Sequence, residues 1–365
     1  MSTELEALDT PAVAVDLDRL ERNLRQTSEL ASAAGVKLRP HIKTHKSAWI
    51  AKRQLELGAC GITVAKLGEA EAMAAAGIAD ILIAYPIVGA AKLQRLAALT
   101  KVARITVGID SFEAAAGLSA LGQSLDVRIP LYLDVNSGLN RCGREPGAAS
   151  AELGAKIAAL PGVWLAGLMT HAGHVYGKAS REECREIAQA EAQALLTTQA
   201  CLRVYGVDVR EISAGSTPTS KFAAELAGIT EIRPGAYVFG DGSQLYPGII
   251  GEEECAMRIY ATVVSAPRPD TIIIDAGSKT LTTDTSPHRP GYGYLPNYPE
   301  AVIERLSEEH GIVRVPDDCP LRIGDTVAVI PNHCCTVTNL HDRLIGVRKG
   351  RIERMIQVDA RGRTQ

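Results

Sequence analysis

The chain has 365 residues, 46% of them hydrophobic and 22% charged, with a formal net charge of −3, more apolar material than one core usually holds, since single cores rarely grow past roughly 250–300 residues. The balanced charge leaves no basic footprint for nucleic acid, and no apolar run approaches the roughly 20 residues of a membrane span. The opening segment MSTELEALDT lacks the apolar core of a signal peptide and eight cysteines lie scattered without framework spacing, so a reduced, cytoplasmic protein with neither a nucleic-acid nor a membrane partner is expected.

In chain order, Ala12, Val13, Ala14, Val15 and Asp16 read as a strand, followed by an amphipathic helix over 17–34. From about Val36 to Gly240 one unit recurs: a short β-branched run, a turn, then a stretch rich in Ala, Glu and Leu. The strand candidates are 36–41, 61–65, 81–85, 104–108, 129–134, 165–169 and 209–212, with a short eighth near Ile232. Strands separated by helical patterns pair in parallel through right-handed crossovers, and eight such units in roughly 200 residues fit a (β/α)8 TIM-type barrel. A doubly wound open sheet shares this grammar and stays open as the alternative. After about Pro247 come strands without long helices between them, at 258–264, 271–275 and 326–330. A hairpin of 344–348 and 351–353 follows, turning on Lys349 and Gly350. The expected fold is thus α/β: a barrel over 17–245 and a second, mainly β domain of 1–16 and 246–365. The two should be packed together, because no low-complexity linker intervenes.

Barrels place their chemistry where strands end and βα loops begin. The first candidate strand runs into Arg39, Pro40, His41, Ile42, Lys43, Thr44, His45 and Lys46. A lysine held among cationic neighbours at a barrel mouth has its pKa pushed down, which favours the neutral amine that a Schiff base needs. The same residues read equally as a solvated loop of surface lysines. Arg141 lies between glycines after the fifth strand; His171, His174 and Tyr176 follow the sixth. Gly215, Ser216 and Thr217 follow the seventh, and Arg233, Gly235 and Ala236 the eighth. Loops after strands seven and eight are the common barrel phosphate site, and a Gly-Ser-Thr turn offers N–H groups and hydroxyls to an anion. Any one of these reads as an ordinary turn; their coincidence at four strand ends is the informative feature.

Together with Pro331, Asn332, His333, Cys334 and Cys335, the run from Arg39 to Lys46 resembles the D-threonine aldolase / D-serine dehydratase family. That family belongs to the fold-type III pyridoxal-phosphate (PLP) enzymes, which have the alanine racemase-like barrel. The resemblance spans nearly the whole chain. It implies that Lys43 is the catalytic Schiff-base lysine, that Arg141 approaches the PLP phenolic oxygen, and that His171 packs on the pyridine ring with Tyr176 nearby. It further implies that Ser216, Thr217, Gly235 and Ala236 hold the phosphate and that Arg233 faces the pyridine nitrogen. Arg233 also reads as a brace at the domain junction, and His171 as a hydrogen-bonded core histidine.

His333 and Cys335 stand two apart at what reads as the end of an apolar strand, which would turn both side chains to one face and Cys334 to the other. Imidazole and thiolate, with water completing the shell, suit Zn²⁺, although a lone His-x-Cys is more often structural. The family binds a divalent metal beside PLP through a His-x-Cys or His-x-Asp pair, so the resemblance makes His333 and Cys335 the metal ligands, with zinc ahead of manganese or magnesium. Cysteine there tends to go with dehydratases and aspartate with aldolases, which points to dehydration. Met169 departs from the dehydratase pattern, which has tyrosine at that place.

The implied activity is a PLP- and metal-dependent lyase of D-3-hydroxy amino acids, as a homodimer, with D-serine, D-threonine and 3-hydroxy-D-aspartate as the substrate choices. Lys43 would take the Cα proton and the metal would act on the 3-hydroxyl. D-threonine aldolase cleavage to glycine and an aldehyde is the alternative. Further alternatives are a racemase, whose second base would have to be a tyrosine such as Tyr260, Tyr292 or Tyr294, and a non-catalytic PLP carrier.

Overall fold

A computed structural model of the chain describes residues 8–178 and 180–365. Strand β1 (Ala12–Asp16) leads directly into helix α1 (Leu17–Ala33), and Asp16 starts the helix by accepting the Asp18 and Arg19 amides at 3.0 Å each. The barrel follows as β2 (Lys37–Leu38), α2 (Ala48–Glu56), β3 (Ile62–Val64), α3 (Leu67–Ala75), β4 (Asp80–Ile83), α4 (Ala90–Leu99), β5 (Arg104–Ile109) and α5 (Phe112–Ser124). It continues as β6 (Ile129–Asp134), α6 (Ala148–Ala158), β7 (Val163–Met169), α7 (Arg181–Val204), β8 (Glu211–Ala214), the single turn α8 (Thr217–Ser220) and β9 (Glu231–Ile232).

All pairs in this sheet are parallel, in the order β2-β9-β8-β7-β6-β5-β4-β3, and a parallel bridge from His41 to Thr63 joins the two ends. That closure makes it a barrel and disposes of the open-sheet alternative. Its strands carry near-continuous Ile, Leu and Val because helices cover one face while the barrel interior fills the other. Only Lys37 and Leu38 of the first strand form a regular ladder. Pro40 has no N–H to give, yet Arg39 and His41 still donate to Ile232 and Pro234 at 3.0 and 2.9 Å, so the extended run reaches His41.

The remaining chain forms α9 (Gly242–Leu245), β10 (Met257–Arg268), β11 (Thr271–Ile274), α10 (Ser278–Leu281), β12 (Val302–Leu306), β13 (Gly311–Arg314), β14 (Thr326–Val329), α11 (Cys334–Leu340), β15 (Arg343–Arg348) and β16 (Arg351–Gln357). Their sheet runs β12-β13-β11-β10-β1-β15-β16, with β14 also on β10. As expected, β1 belongs here, antiparallel to β10 and parallel to β15. Val13, Val15, Ile259, Val263 and Val329 share this second core with Ala236, Val238 and Phe239 from the end of the barrel segment, so the two sheets are packed together.

Two expectations need correction. Strands β12 and β13 were not anticipated, because Glu304, Arg305 and Arg314 interrupt their apolar pattern. His333 and Cys335 do not end a strand: β14 stops at Val329, His333 is the N-cap of α11, and Cys335 lies in its first turn. All eight cysteines are unpaired, and among the described residues no helix is long and apolar enough to cross a membrane.

The barrel interior is tied by a buried charge network. Arg39 Nε donates to Glu231 Oε2 at 2.7 Å, its guanidinium also meets Asp80, and Ser213 Oγ donates to Glu231 Oε1 at 2.6 Å. Glu231 has no solvent exposure. Removing one partner of such a pair leaves a buried charge, so Glu231→Ala should cost about 3–5 kcal/mol. The check is a lower urea midpoint with an unchanged slope.

Candidate active site

A cavity of about 340 Å³ opens between the barrel mouth and the second sheet, within the roughly 300–1,000 Å³ usual for small-molecule sites. Every residue that the family resemblance assigns to the cofactor or metal lines it except Arg141, which lines a small adjoining pocket that shares His171. The lining comes from the segments after β2, β7, β8 and β9, and from the second half of the chain, including Asp284, Asn332, His333 and Cys335. His333 and Cys335 line the same cavity as Lys43 within one chain. Tyr260, Tyr292 and Tyr294 do not line the cavity.

Lys43 sits in a single 3₁₀ turn, Ile42–Thr44, and its N–H donates to His41 Nδ1 at 3.4 Å. Burial pushes its amine below the ordinary lysine range. Cys335 and Glu69 pull the other way, and Arg141 and Arg233 add to the lowering. His41 and His171 are held well below the imidazole range, by burial first and then by the charge of Lys43, so both rings are neutral. The rest of the lysine-histidine cluster turns away. His45 is a core residue, with Nδ1 accepting the Ser47 N–H at 3.1 Å and Nε2 3.3 Å from Gln54 Oε1. Lys46 is spent on Asn339 Oδ1 at 2.7 Å and Glu69 at 3.3 Å.

On the opposite wall the Tyr176 hydroxyl is hydrogen-bonded to Thr217, and burial raises its pKa. Thr217 Oγ1 accepts the Gly235 N–H at 3.1 Å, which ties the segments after β8 and β9 together. A Cβ at Gly235 would lie 2.9 Å from Thr44 Oγ1 and 3.0 Å from the His41 carbonyl, so only glycine lets this segment rest against the lysine turn. Arg233 donates to Ser213 Oγ and the Thr170 carbonyl, bracing the ends of β8 and β7 while it faces the cavity.

His333 and Cys335 converge although no strand aligns them. The buried Asp241 carboxylate accepts the Cys334 N–H at 2.9 Å, which fixes the start of α11, and Thr44 Oγ1 lies 3.2 Å from Cys335 Sγ. A hydrogen bond from the Cys334 thiol, reinforced by His333 and Lys43, holds Cys335 well below the thiol range. That thiolate, with Asp284, lifts His333 to about 11. Asp284 Oδ2 lies 3.4 Å from His333 Nδ1 and also accepts from the Thr336 hydroxyl. Sequence reasoning missed Asp284: it sits in an irregular polar segment after α10, where no periodicity marks it.

Residues 15–243 match the family model "Alanine racemase, N-terminal domain", and residues 256–347 match that of a serine dehydratase domain. D-Threonine aldolase of an Arthrobacter species is 36% identical over 98% of this chain and 94% of that protein. D-threo-3-hydroxyaspartate dehydratase of Delftia sp. HT23 is 33% identical over 92% of this chain and 93% of that protein. Its solved structure gives a TM-score of 0.89 at 30% identity, covering 98% of this chain and 99% of that one. Structures of D-threo-3-hydroxyaspartate dehydratase also include a variant at a histidine and a variant at a cysteine two residues beyond it, the latter in a metal-free form. The solved D-threonine aldolase of Filomicrobium marinum gives a TM-score of 0.92 at 33% identity, covering 99% of this chain and 98% of that one. The chain therefore belongs to the fold-type III family of PLP enzymes, in the lyase branch that joins an alanine racemase-like barrel to a serine dehydratase domain.

The residues present fit both groups that this family implies. A lysine whose pKa burial lowers, neutral imidazoles beside it and a glycine-relieved cradle suit PLP. For the metal, imidazole and thiolate are a zinc-like donor pair. Among the described residues no group of three His, Cys, Asp or Glu side chains is arranged to hold an ion. Because the Lys43 pKa is lowered, its amine loses its proton at a lower pH than an ordinary lysine. Covalent uptake of PLP by the apo-protein, followed by visible absorbance, should therefore rise with pH and level off below 10.5.

Proposed function

We propose that this protein is a zinc- and PLP-dependent dehydratase of small D-3-hydroxy amino acids, D-serine and D-threonine, releasing a 2-oxo acid and ammonia. The observation that carries the reading is the His333–Cys335 pair facing Lys43 across one cavity. The supporting comparison is the dehydratase relative, in which a histidine and a cysteine at the same spacing were substituted and the cysteine variant was solved in a metal-free form.

Bound PLP supplies the electron sink and zinc supplies Lewis acidity at the leaving hydroxyl. Lys43, whose pKa burial lowers, would take the Cα proton. His171 would back the ring with Tyr176 nearby, Arg233 would serve the pyridine nitrogen and Arg141 the phenolic oxygen. Ser216, Thr217, Gly235 and Ala236 would hold the phosphate. His333 and Cys335 would hold the zinc. A second reading, D-threonine aldolase, is favoured by the 36% identity to the Arthrobacter enzyme over nearly the whole chain.

The deciding experiment gives metal-replete, PLP-loaded protein D-threonine, with and without a chelator, and identifies the products. 2-Oxobutyrate and ammonia, lost with the chelator, are expected; glycine and acetaldehyde would replace this reading with the aldolase. Asp284, set against His333 Nδ1, orients that ligand in the manner of carboxylates behind metal-bound histidines. Asp284→Asn should weaken zinc binding by roughly 10–100-fold in a chelator competition.

A further inference from the structure

Glu191, near the middle of α7, has no solvent exposure and no part in the chemistry above. Its side chain lies behind the ends of β7 and β8, where Oε1 accepts two backbone N–H groups at once, from Ala172 at 3.0 Å and from Gly215 at 3.3 Å. Ala172 follows His171, and Gly215 precedes Ser216, so one oxygen joins two neighbouring segments that both line the cavity. The other oxygen, Oε2, is buried without a hydrogen bond of ordinary geometry, beside the Thr219 hydroxyl. Thr219 Oγ1 in turn accepts the Ser216 N–H at 2.8 Å. Gly215 reaches this arrangement with φ of +95°, a conformation open to glycine and strained for other residues.

We infer that Glu191 is a positioning residue for the cofactor, bracing the His171 segment against the Ser216–Thr217 turn so that the ring and phosphate seats keep a fixed separation. The inference rests on the assignment of those two segments to PLP. An ionised carboxylate would leave a buried oxygen with a charge and no conventional partner, which is costly. A carboxylic acid avoids this, because its O–H can turn to Thr219 Oγ1 while Oε1 goes on accepting both amides. Burial favours that neutral form and raises the pKa of the group, ahead of the opposing hydrogen bonds and Arg233. Glutamine has the same shape and the same pattern, one acceptor and one donor. Aspartate keeps the carboxyl but draws it back by one methylene.

The test compares PLP affinity, by titration of the apo-proteins, with apo-protein unfolding midpoints in wild type, Glu191→Gln and Glu191→Asp. Glu191→Gln should retain wild-type affinity. Glu191→Asp should bind PLP at least about tenfold more weakly, the scale of a buried amide left unpaired. A purely structural residue would lower the unfolding midpoint and leave the affinity of the folded protein unchanged, and that result in Glu191→Asp overturns the inference. So does a Glu191→Gln variant that binds as weakly as Glu191→Asp. Should Glu191→Asp not fold, Thr219→Val cuts the same link to Ser216, and wild-type affinity in that variant overturns the inference equally. Wild-type protein that takes up no PLP would overturn the reading of the site and this inference with it. Tight wild-type uptake matched by Glu191→Asp would overturn the inference alone.

Discussion

Asp241 is fully buried and uses one carboxylate oxygen to join the end of the barrel segment to the chain that carries His333 and Cys335, while the other caps its own turn. Oδ2 takes the Cys334 N–H at 2.9 Å, and Oδ1 takes the N–H and hydroxyl of Ser243. Backbone bonds from Gly242 to Pro331 and from Ser243 to Asn332 lie alongside, at 2.9 and 3.1 Å. Asp241 and Cys334 are 93 positions apart in sequence. This clasp acts together with the Lys46–Asn339 hydrogen bond and the Thr44–Cys335 approach to set α11 against the Lys43 turn, where the cavity wall bears its thiolate and imidazole. The Asp284–His333 pair and the orientation of both candidate ligands follow from that placement.

Charge placement then decides what each buried group can do. A pair of unit charges about 4 Å apart interacts by roughly 4 kcal/mol at an effective dielectric of 20, comparable with the several kcal/mol that desolvating one ion costs. The count of neighbours therefore sets the sign. Around Arg39, the carboxylates Glu231 and Asp80 outweigh burial, and the guanidinium is held more firmly protonated than usual. Around Lys43, Cys335 and Glu69 are offset by Arg141 and Arg233, and burial is left to lower the amine. One barrel thus holds a permanent cation at its interior and a neutralisable one at its mouth, using the same residue types in different company.

Much of this was legible in the sequence. Parallel strands buried on both faces read as apolar runs, and eight of them with intervening helices announced the barrel. The hairpin at Lys349 and Gly350 carried its own turn signal. The cluster from His41 to Lys46 pointed to the right loop but not to which members face inward: His45 and Lys46 belong to the core and to Glu69, a sorting that depends on the turn over Ile42–Thr44. The His333–Cys335 pair was singled out by the family resemblance and assigned to the wrong element, because the apolar run before Pro331 looked like a strand that continued. Asp284 and Glu191 were invisible for a different reason. Each acts through a backbone or ring placed near it by tertiary contact, and neither an irregular segment nor one turn of a long amphipathic helix leaves a periodic mark for such a role.

The choice between the two lyase reactions turns on what lies beside the 3-hydroxyl, since both need Lys43 and the same cofactor seat. Retro-aldol cleavage asks for a base that removes the hydroxyl proton, whereas loss of water asks for an acid at the oxygen. Among the described residues that line the cavity, Asp284 is the one carboxylate, and its Oδ2 is already divided between His333 and Thr336. His41 is neutral, with Nδ1 turned to the Lys43 N–H. The nearest unprotonated groups are therefore engaged in holding the site together, while under the proposed reading Cys335 and His333, once its raised pKa is overcome and its proton lost, would hold a Lewis acid. That balance of engaged bases against an available metal seat is what weighs on the side of dehydration.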